Sequence, residues 1–168
     1  MPEAAIGLGA NLGDRRRTLR SGLFGVGLPI AAVSSLYESA PVETQGDQPR
    51  YLNAVAILDC PQSLRPEDLL GLLLRVEAEH GRVRGPGKAP RTLDLDLLLY
   101  GDEVRATERL RLPHPGVLRR RFVLEPLLEV RPTVRIAGAQ DPRAALRACL
   151  DQDVERVGGR SWFWRTGS

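Results

Sequence analysis

Gly81-Arg-Val-Arg-Gly-Pro-Gly-Lys-Ala-Pro-Arg-Thr-Leu-Asp-Leu-Asp-Leu-Leu-Leu-Tyr100 is the stretch from which the rest of the chain is read. Its first half is basic and broken by glycine and proline, which is the composition of a loop. Its second half alternates, with Leu93, Leu95, Leu97 and Leu99 on one face of a strand and Asp94 and Asp96 on the other. Carboxylates two residues apart on a strand stand about 5 Å from each other and repel by about 3 kcal/mol at an effective dielectric of about 20. A compensating positive charge is therefore called for. Arg82, Arg84, Lys88 and Arg91 are candidates, and so is a hard divalent cation held by the two carboxylates and a substrate's phosphates. A lone Asp-x-Asp is more often the solvated face of an amphipathic strand, so the remaining sequence has to decide.

The chain has 168 residues, enough for one domain over 1–168 with a real core. Its hydrophobic content of 42% and charged content of 27% are those of a soluble globular protein. No apolar run is long enough for a membrane span and the N-terminus has no secretory pattern, so a cytoplasmic protein without a membrane partner is expected. Cys60 and Cys149 are far apart and have no Cys or His at metal spacing, which fits buried thiols in a reducing compartment. A net charge of +3 admits nucleic acid or phosphorylated small molecules as partners. Only Lys88 among the 24 basic residues is a lysine, so scattered arginines are weak markers of a surface.

From the N-terminus, residues 4–9 read as a strand, and Asn11 to Asp14 as a turn capping a helix over 15–26. Gly7, Gly9 and Gly13 miss the dinucleotide fingerprint, and no Walker lysine follows, so this turn is structural or borders a substrate. Residues 30–39 are rich in β-formers, and 51–58 alternate with Tyr51, Asn53, Val55 and Ile57 on one face. Asn53 fits a strand-edge polar group or an amide reading a heterocycle beside a stacking aromatic. Pro66, Glu67 and Asp68 open a helix with a stripe of Leu69, Leu72, Leu73, Val76 and His80. Glu77 falls off that stripe and reads as solvated unless a site reaches it. His114, fixed between two prolines and followed by Arg119, Arg120 and Arg121, is structural or a donor to phosphate. A helix over about 117–130 interrupted near Pro126, a strand at 134–136, a helix at 141–150 and an aromatic plug at 162–164 complete the chain. The order β-α-β-β-α-β predicts an α+β, ferredoxin-like core, an antiparallel sheet with helices on one face, plus C-terminal additions.

Taken together these residues resemble the 6-hydroxymethyl-7,8-dihydropterin pyrophosphokinases of folate biosynthesis. The resemblance is carried by Gly9-Ala-Asn-Leu-Gly13, Ser34-Ser-Leu-Tyr-Glu-Ser-Ala-Pro41, Asp47-Gln-Pro-Arg-Tyr-Leu-Asn53, Glu77 to Arg84, Pro90-Arg-Thr-Leu-Asp-Leu-Asp96, and Pro113-His114 before Arg120 and Phe122. It implies an ATP- and Mg²⁺-dependent diphosphokinase that moves the β,γ-pyrophosphoryl unit of ATP to the pterin hydroxymethyl group, releasing AMP. Asp94 and Asp96 match the ligands of two Mg²⁺ ions, and Arg82 and Arg91 match catalytic arginines on the phosphates. Glu77, Arg84, Leu97, His114 and Arg120 match the ATP side. Ala40, Pro41 and Val42 match backbone contacts to the pterin, Tyr51 and Phe122 the aromatics bracketing it, and Asn53 the amide reading its pyrimidine edge. The family's lid tryptophan is replaced around Lys88 and Ala89, and Pro115 stands where an aromatic is common. The implied partners are these two small molecules, with no nucleic acid, acting on a monomer. The rival is a ferredoxin-like small-molecule or RNA-binding module without catalysis. The two aspartates and the lack of closely spaced aromatics on the presumed open face argue against RNA.

Overall fold

In a computed structural model of the chain, residues 1–41, 49–81, 92–138 and 141–164 are described. The elements run β1 (Glu3–Ala10), α1 (Arg15–Val26), β2 (Ile30–Val33), β3 (Leu36–Ser39), β4 (Tyr51–Asp59), α2 (Pro66–Glu79), β5 (Asp94–Tyr100), β6 (Arg105–Ala106), β7 (Arg111–Leu112), α3 (Arg121–Val130), α4 (Pro142–Ala148) and β8 (Val154–Gly158). The main sheet is antiparallel in the order β5-β1-β4-β3-β8, with β2 also on β4. This is an α/β architecture compatible with the ferredoxin-like plan, its second strand split into β2 and β3.

Local chemistry sets the helix ends. The Asp14 side chain accepts from the Arg17 amide and caps α1, and Gly27, at φ 75°, closes it in the left-handed conformation that favours glycine. Pro66 starts α2, with the Asp68 carboxylate accepting from the Arg65 amide. One side of the sheet packs under α1 and α2 through Ile6, Leu8, Leu19, Leu23, Leu52, Leu69, Leu73, Leu93 and Leu95, all buried. Gly22 permits the approach of α1, since a Cβ there would lie 2.6 Å from Leu93 Cδ2.

The C-terminal additions cover part of the other side. α3 lays Val123, Leu124, Leu127 and Val130 over Val55 and Ile57, and leaves the sheet's second face open towards the ends of β4 and β5 that carry Asn53 and Asp94. Four sequence expectations change. Leu93, Leu95 and Leu97 share the first core, but Leu99 lies in the second, because a bulge shifts the β1–β5 register between Ala5 and Ile6 and flips the alternation. The helix near Pro126 is not interrupted: α3 starts at Arg121 and runs through the proline, which is buried in the core. Residues 134–136 form no strand; Ile136 is buried in the second core without ladder pairing. The tail does plug the fold through Trp162 and Phe163, each 4% exposed, but Trp164 stands out at 61%, and a strand the sequence did not signal, β8, precedes it. No described helix is long and apolar enough to cross a membrane.

Candidate functional site

β1, β4 and β5 build the floor of the site by register. Asn53, Gly9 and Asp94 lie in line across three strands, and Val55, Gly7 and Asp96 form the next line. With hydrogen in place of side chains at Gly7 and Gly9, a pocket of about 280 Å³ opens on the uncovered sheet face. Ser39, Ala40, Tyr51, Asn53, Asp94, Asp96, Arg120 and Phe122 all line it. A Cβ on Gly9 would lie 3.4 Å from Asn53 Oδ1, 3.8 Å from Tyr51 Cδ1 and 4.0 Å from Asp94 Cβ, filling the floor between the three. Of the three glycines read as structural or substrate-bordering, Gly7 and Gly9 lie in β1 and border the pocket, while Gly13 in the turn does not line it.

The Asn53 amide is oriented. Its Nδ2 donates to Ser39 Oγ at 2.8 Å and to the Tyr37 carbonyl at 3.3 Å, which leaves Oδ1 as the atom above Gly9. The pocket thus offers an acceptor beside the Tyr51 and Phe122 rings, a combination suited to a flat heterocycle with an N–H edge.

A second cleft, of about 310 Å³, shares a wall residue with the first. It is lined by Glu77, Leu95, Asp96, Leu97, Glu108, Arg109, Arg111, His114 and Pro115, among others, so Asp96 borders both. β5 is the edge strand here, and two of its outward backbone groups are claimed by the surroundings. The Leu95 amide donates to Glu77 Oε2 at 2.8 Å, and the His114 amide donates to the Leu98 carbonyl at 2.9 Å. Glu77 is buried at 5% exposure, against its reading as a solvated helix carboxylate: α2 packs on the sheet edge and the carboxylate satisfies a strand amide there.

His114 is a defined tautomer. The Gly116 amide donates to Nδ1 at 2.9 Å, so the proton of the neutral ring sits on Nε2. Burial pushes the His114 pKa below its usual value and the Arg120 charge pushes the same way, while Asp96 pulls it up. Gly116 also makes room for Arg120: a Cβ there would lie 3.0 Å from Nε and 3.1 Å from Cζ. Arg120 in turn has its Cζ 6.0 Å from the centroid of the Phe122 ring. A neutral N–H donor and a guanidinium thus flank the carboxylate pair, an arrangement for anionic oxygens.

Of the residues singled out in the sequence, Ala40, Tyr51, Asn53, Asp94, Asp96, Arg120 and Phe122 come together in the first pocket, and Glu77, Leu97 and His114 with Asp96 in the second. Pro41 follows Ala40 directly but does not line the pocket. Val42, Arg82, Arg84 and Arg91, with Lys88 and Ala89, lie outside the described residues. Ser39, Arg109 and Arg111 line the site and were not foreseen. The arginines had no signal in a chain so rich in arginine, while Ser39, on the same strand as Tyr37 and opposite Tyr51, could have been found by pairing strands.

Comparison with known proteins agrees with this geometry. The model of the family described as 7,8-dihydro-6-hydroxymethylpterin-pyrophosphokinase matches residues 5–132. The chain is 40% identical to a 2-amino-4-hydroxy-6-hydroxymethyldihydropteridine pyrophosphokinase of Pseudomonas aeruginosa, over 92% of this chain and 96% of that protein. It is 38% identical to the protein of the same name in Bacillus subtilis, over 98% and 92%. Among solved structures, the Plasmodium falciparum HPPK-DHPS chain superposes with a TM-score of 0.71 at 13% identity, covering 88% of this chain and 44% of that one, a likeness of fold.

Proposed function

Because the chain belongs to the 7,8-dihydro-6-hydroxymethylpterin-pyrophosphokinase family, we propose that the two joined clefts bind a pterin and ATP and bring them together at Asp94 and Asp96. The activity is that of the family, a pyrophosphokinase of folate synthesis. In the reaction the hydroxymethyl oxygen of 6-hydroxymethyl-7,8-dihydropterin bonds to the β-phosphorus of ATP, the bond from that phosphorus to the α-phosphate oxygen breaks, and AMP leaves. The observation that carries the assignment is that Asp96 lines both the ring pocket and the edge-strand cleft.

On the ring side, Tyr51 and Phe122 supply flat apolar contact and Asn53 Oδ1 accepts from a ring N–H, orienting the hydroxymethyl group towards the aspartates. On the nucleotide side, His114 Nε2–H and the Arg120 guanidinium donate to triphosphate oxygens. The adenine lies along the β5 edge near Leu97. Among the described residues no third His, Cys, Asp or Glu joins the Asp94/Asp96 pair to enclose a metal. Two hard carboxylate donors fit Mg²⁺, which keeps waters and shares its sphere with phosphates. Asp94 and Asp96 would hold two such ions, and when bound these supply neutralisation of the triphosphate charge. Positioning and charge neutralisation are the chain's contribution, with Arg82, Arg84 and Arg91, which lie outside the described residues, adding phosphate contacts. The protein works as a cytoplasmic monomer on small molecules, without nucleic acid.

The test is mass detection of AMP and pterin diphosphate from ATP, Mg²⁺ and 6-hydroxymethyl-7,8-dihydropterin. Both products are expected in equal amounts. Folded protein that yields neither would favour a binding module instead.

A further inference from the structure

We infer that Ser39 is a positioning residue for ring recognition: its hydroxyl accepts from the Asn53 amide that the Tyr37 carbonyl orients, and so holds Oδ1 towards the ligand. The inference rests on the functional reading above and deepens it on the ring side.

Ser39 is 3% exposed and Asn53 4%, so their hydrogen bond is made in a largely buried place at the pocket wall. The amide nitrogen of Asn53 carries two hydrogens, and both have acceptors inside the protein. One is the Tyr37 carbonyl at 3.3 Å, the other Ser39 Oγ at 2.8 Å. The serine contact is the shorter. A flip of the amide would set Oδ1 against the Tyr37 carbonyl oxygen, two acceptors facing each other, so the orientation is not interchangeable. The ladder holds the geometry, since Tyr37 pairs with Asn53 and Ser39 with Tyr51 across β3 and β4. What remains for a ligand is Oδ1, above the bare floor of Gly9. The pocket therefore selects a ring edge that donates an N–H and repels one that presents only acceptors. Without the Ser39 hydroxyl, one amide hydrogen is left unpaired in a buried place, and the side chain turns to find another acceptor.

The experiment is calorimetric titration of 6-hydroxymethylpterin into wild type and Ser39→Ala, each saturated with a non-hydrolysable ATP analogue and Mg²⁺. Ser39→Ala is expected to weaken pterin binding by about five- to tenfold, leave the ATP-analogue affinity unchanged, and regain pterin affinity in Ser39→Thr. In an Asn53→Ala background, Ser39→Ala is expected to have no further effect, which a merely structural serine would not show. Should Ser39→Ala fail to fold, Ser39→Cys, close in size and a poor acceptor, is expected to show the same selective loss. Pterin affinity equal to wild type in a folded Ser39→Ala or Ser39→Cys, or losses that add in the double variant, would overturn the inference while leaving the functional reading in place. Wild type that binds no pterin would overturn the functional reading and this inference with it.

Discussion

The pocket proposed for the ring and the cleft proposed for the nucleotide share Asp96, yet they are made of different material. The ring side is a sheet surface: Asn53, Gly9 and Asp94 take their places from the register of three strands, and Ser39 and Tyr51 from a third pairing, of β3 with β4. The nucleotide side is an edge, where a buried helix carboxylate and a loop histidine amide bond to outward backbone groups of β5. Strand register is cooperative, so one side chain can be exchanged on the ring side without moving the strands that carry its neighbours. The edge depends on a few individual contacts, so small changes there should displace functional groups.

That contrast can be broken in order of effect. Asp96 belongs to both halves, and Asp96→Ala is expected to lower turnover by about a thousandfold or more with little change in Tm, because the side chain sits at the open face. Turnover near wild type in that variant would remove the aspartates from the chemistry. Asn53→Ala should weaken pterin binding by about ten- to a hundredfold and spare the ATP analogue, read by separate titrations. Equal losses for both ligands would mean that the halves are not separate. Gly116→Ala should do the reverse. Its new methyl would displace the Arg120 guanidinium, and ATP-analogue affinity should fall by about three- to tenfold while pterin binding stays. Should Gly116→Ala bind the analogue as wild type does, Arg120 is not held by that slot.

The smallest effect concerns the scaffold that carries both halves. Glu129 on α3 accepts from the Ser35 amide and hydroxyl, the Tyr37 hydroxyl at 2.7 Å and Arg160 Nε at 2.6 Å, tying α3 to β3 and to the C-terminal tail. Burial would raise its pKa, but the Arg160, Tyr37 and Ser35 hydrogen bonds outweigh it and hold the carboxyl below its ordinary value. A carboxyl with a lower pKa folded than unfolded gives stability that is complete above the unfolded value and lost as pH falls through the folded one. Glu129→Gln should therefore flatten the fall of Tm below about pH 4.5, measured by thermal melts across pH. An acid limb as steep as that of wild type would assign it to other carboxylates.

Much of this was legible in the sequence because it rests on local pattern. The helix at 15–26, the Pro66 start of α2 and the placement of Asp94 and Asp96 opposite the leucines followed from caps and alternation. Leu99 and Glu77 did not follow, and for one kind of reason. A bulge and a sheet edge are properties of pairing between distant segments, which no window along the chain contains. The same holds for Gly116, whose roles towards His114 and Arg120 exist only once the loop has turned back on itself. β8 was missed because its exposed, charged residues carry no apolar alternation, and it is held at the sheet's margin by pairing with β3.

In the proposed function, Asp94 and Asp96 bring the contents of the two clefts together through a divalent cation. Calorimetric titration of a non-hydrolysable ATP analogue into wild type and Asp96→Ala, with and without Mg²⁺, tests it most directly. The expected result is tight binding only for wild type with Mg²⁺, with pterin affinity in the absence of nucleotide alike in both proteins. Mg²⁺-independent binding of the analogue, or equal Mg²⁺-dependent binding by wild type and Asp96→Ala, would contradict it.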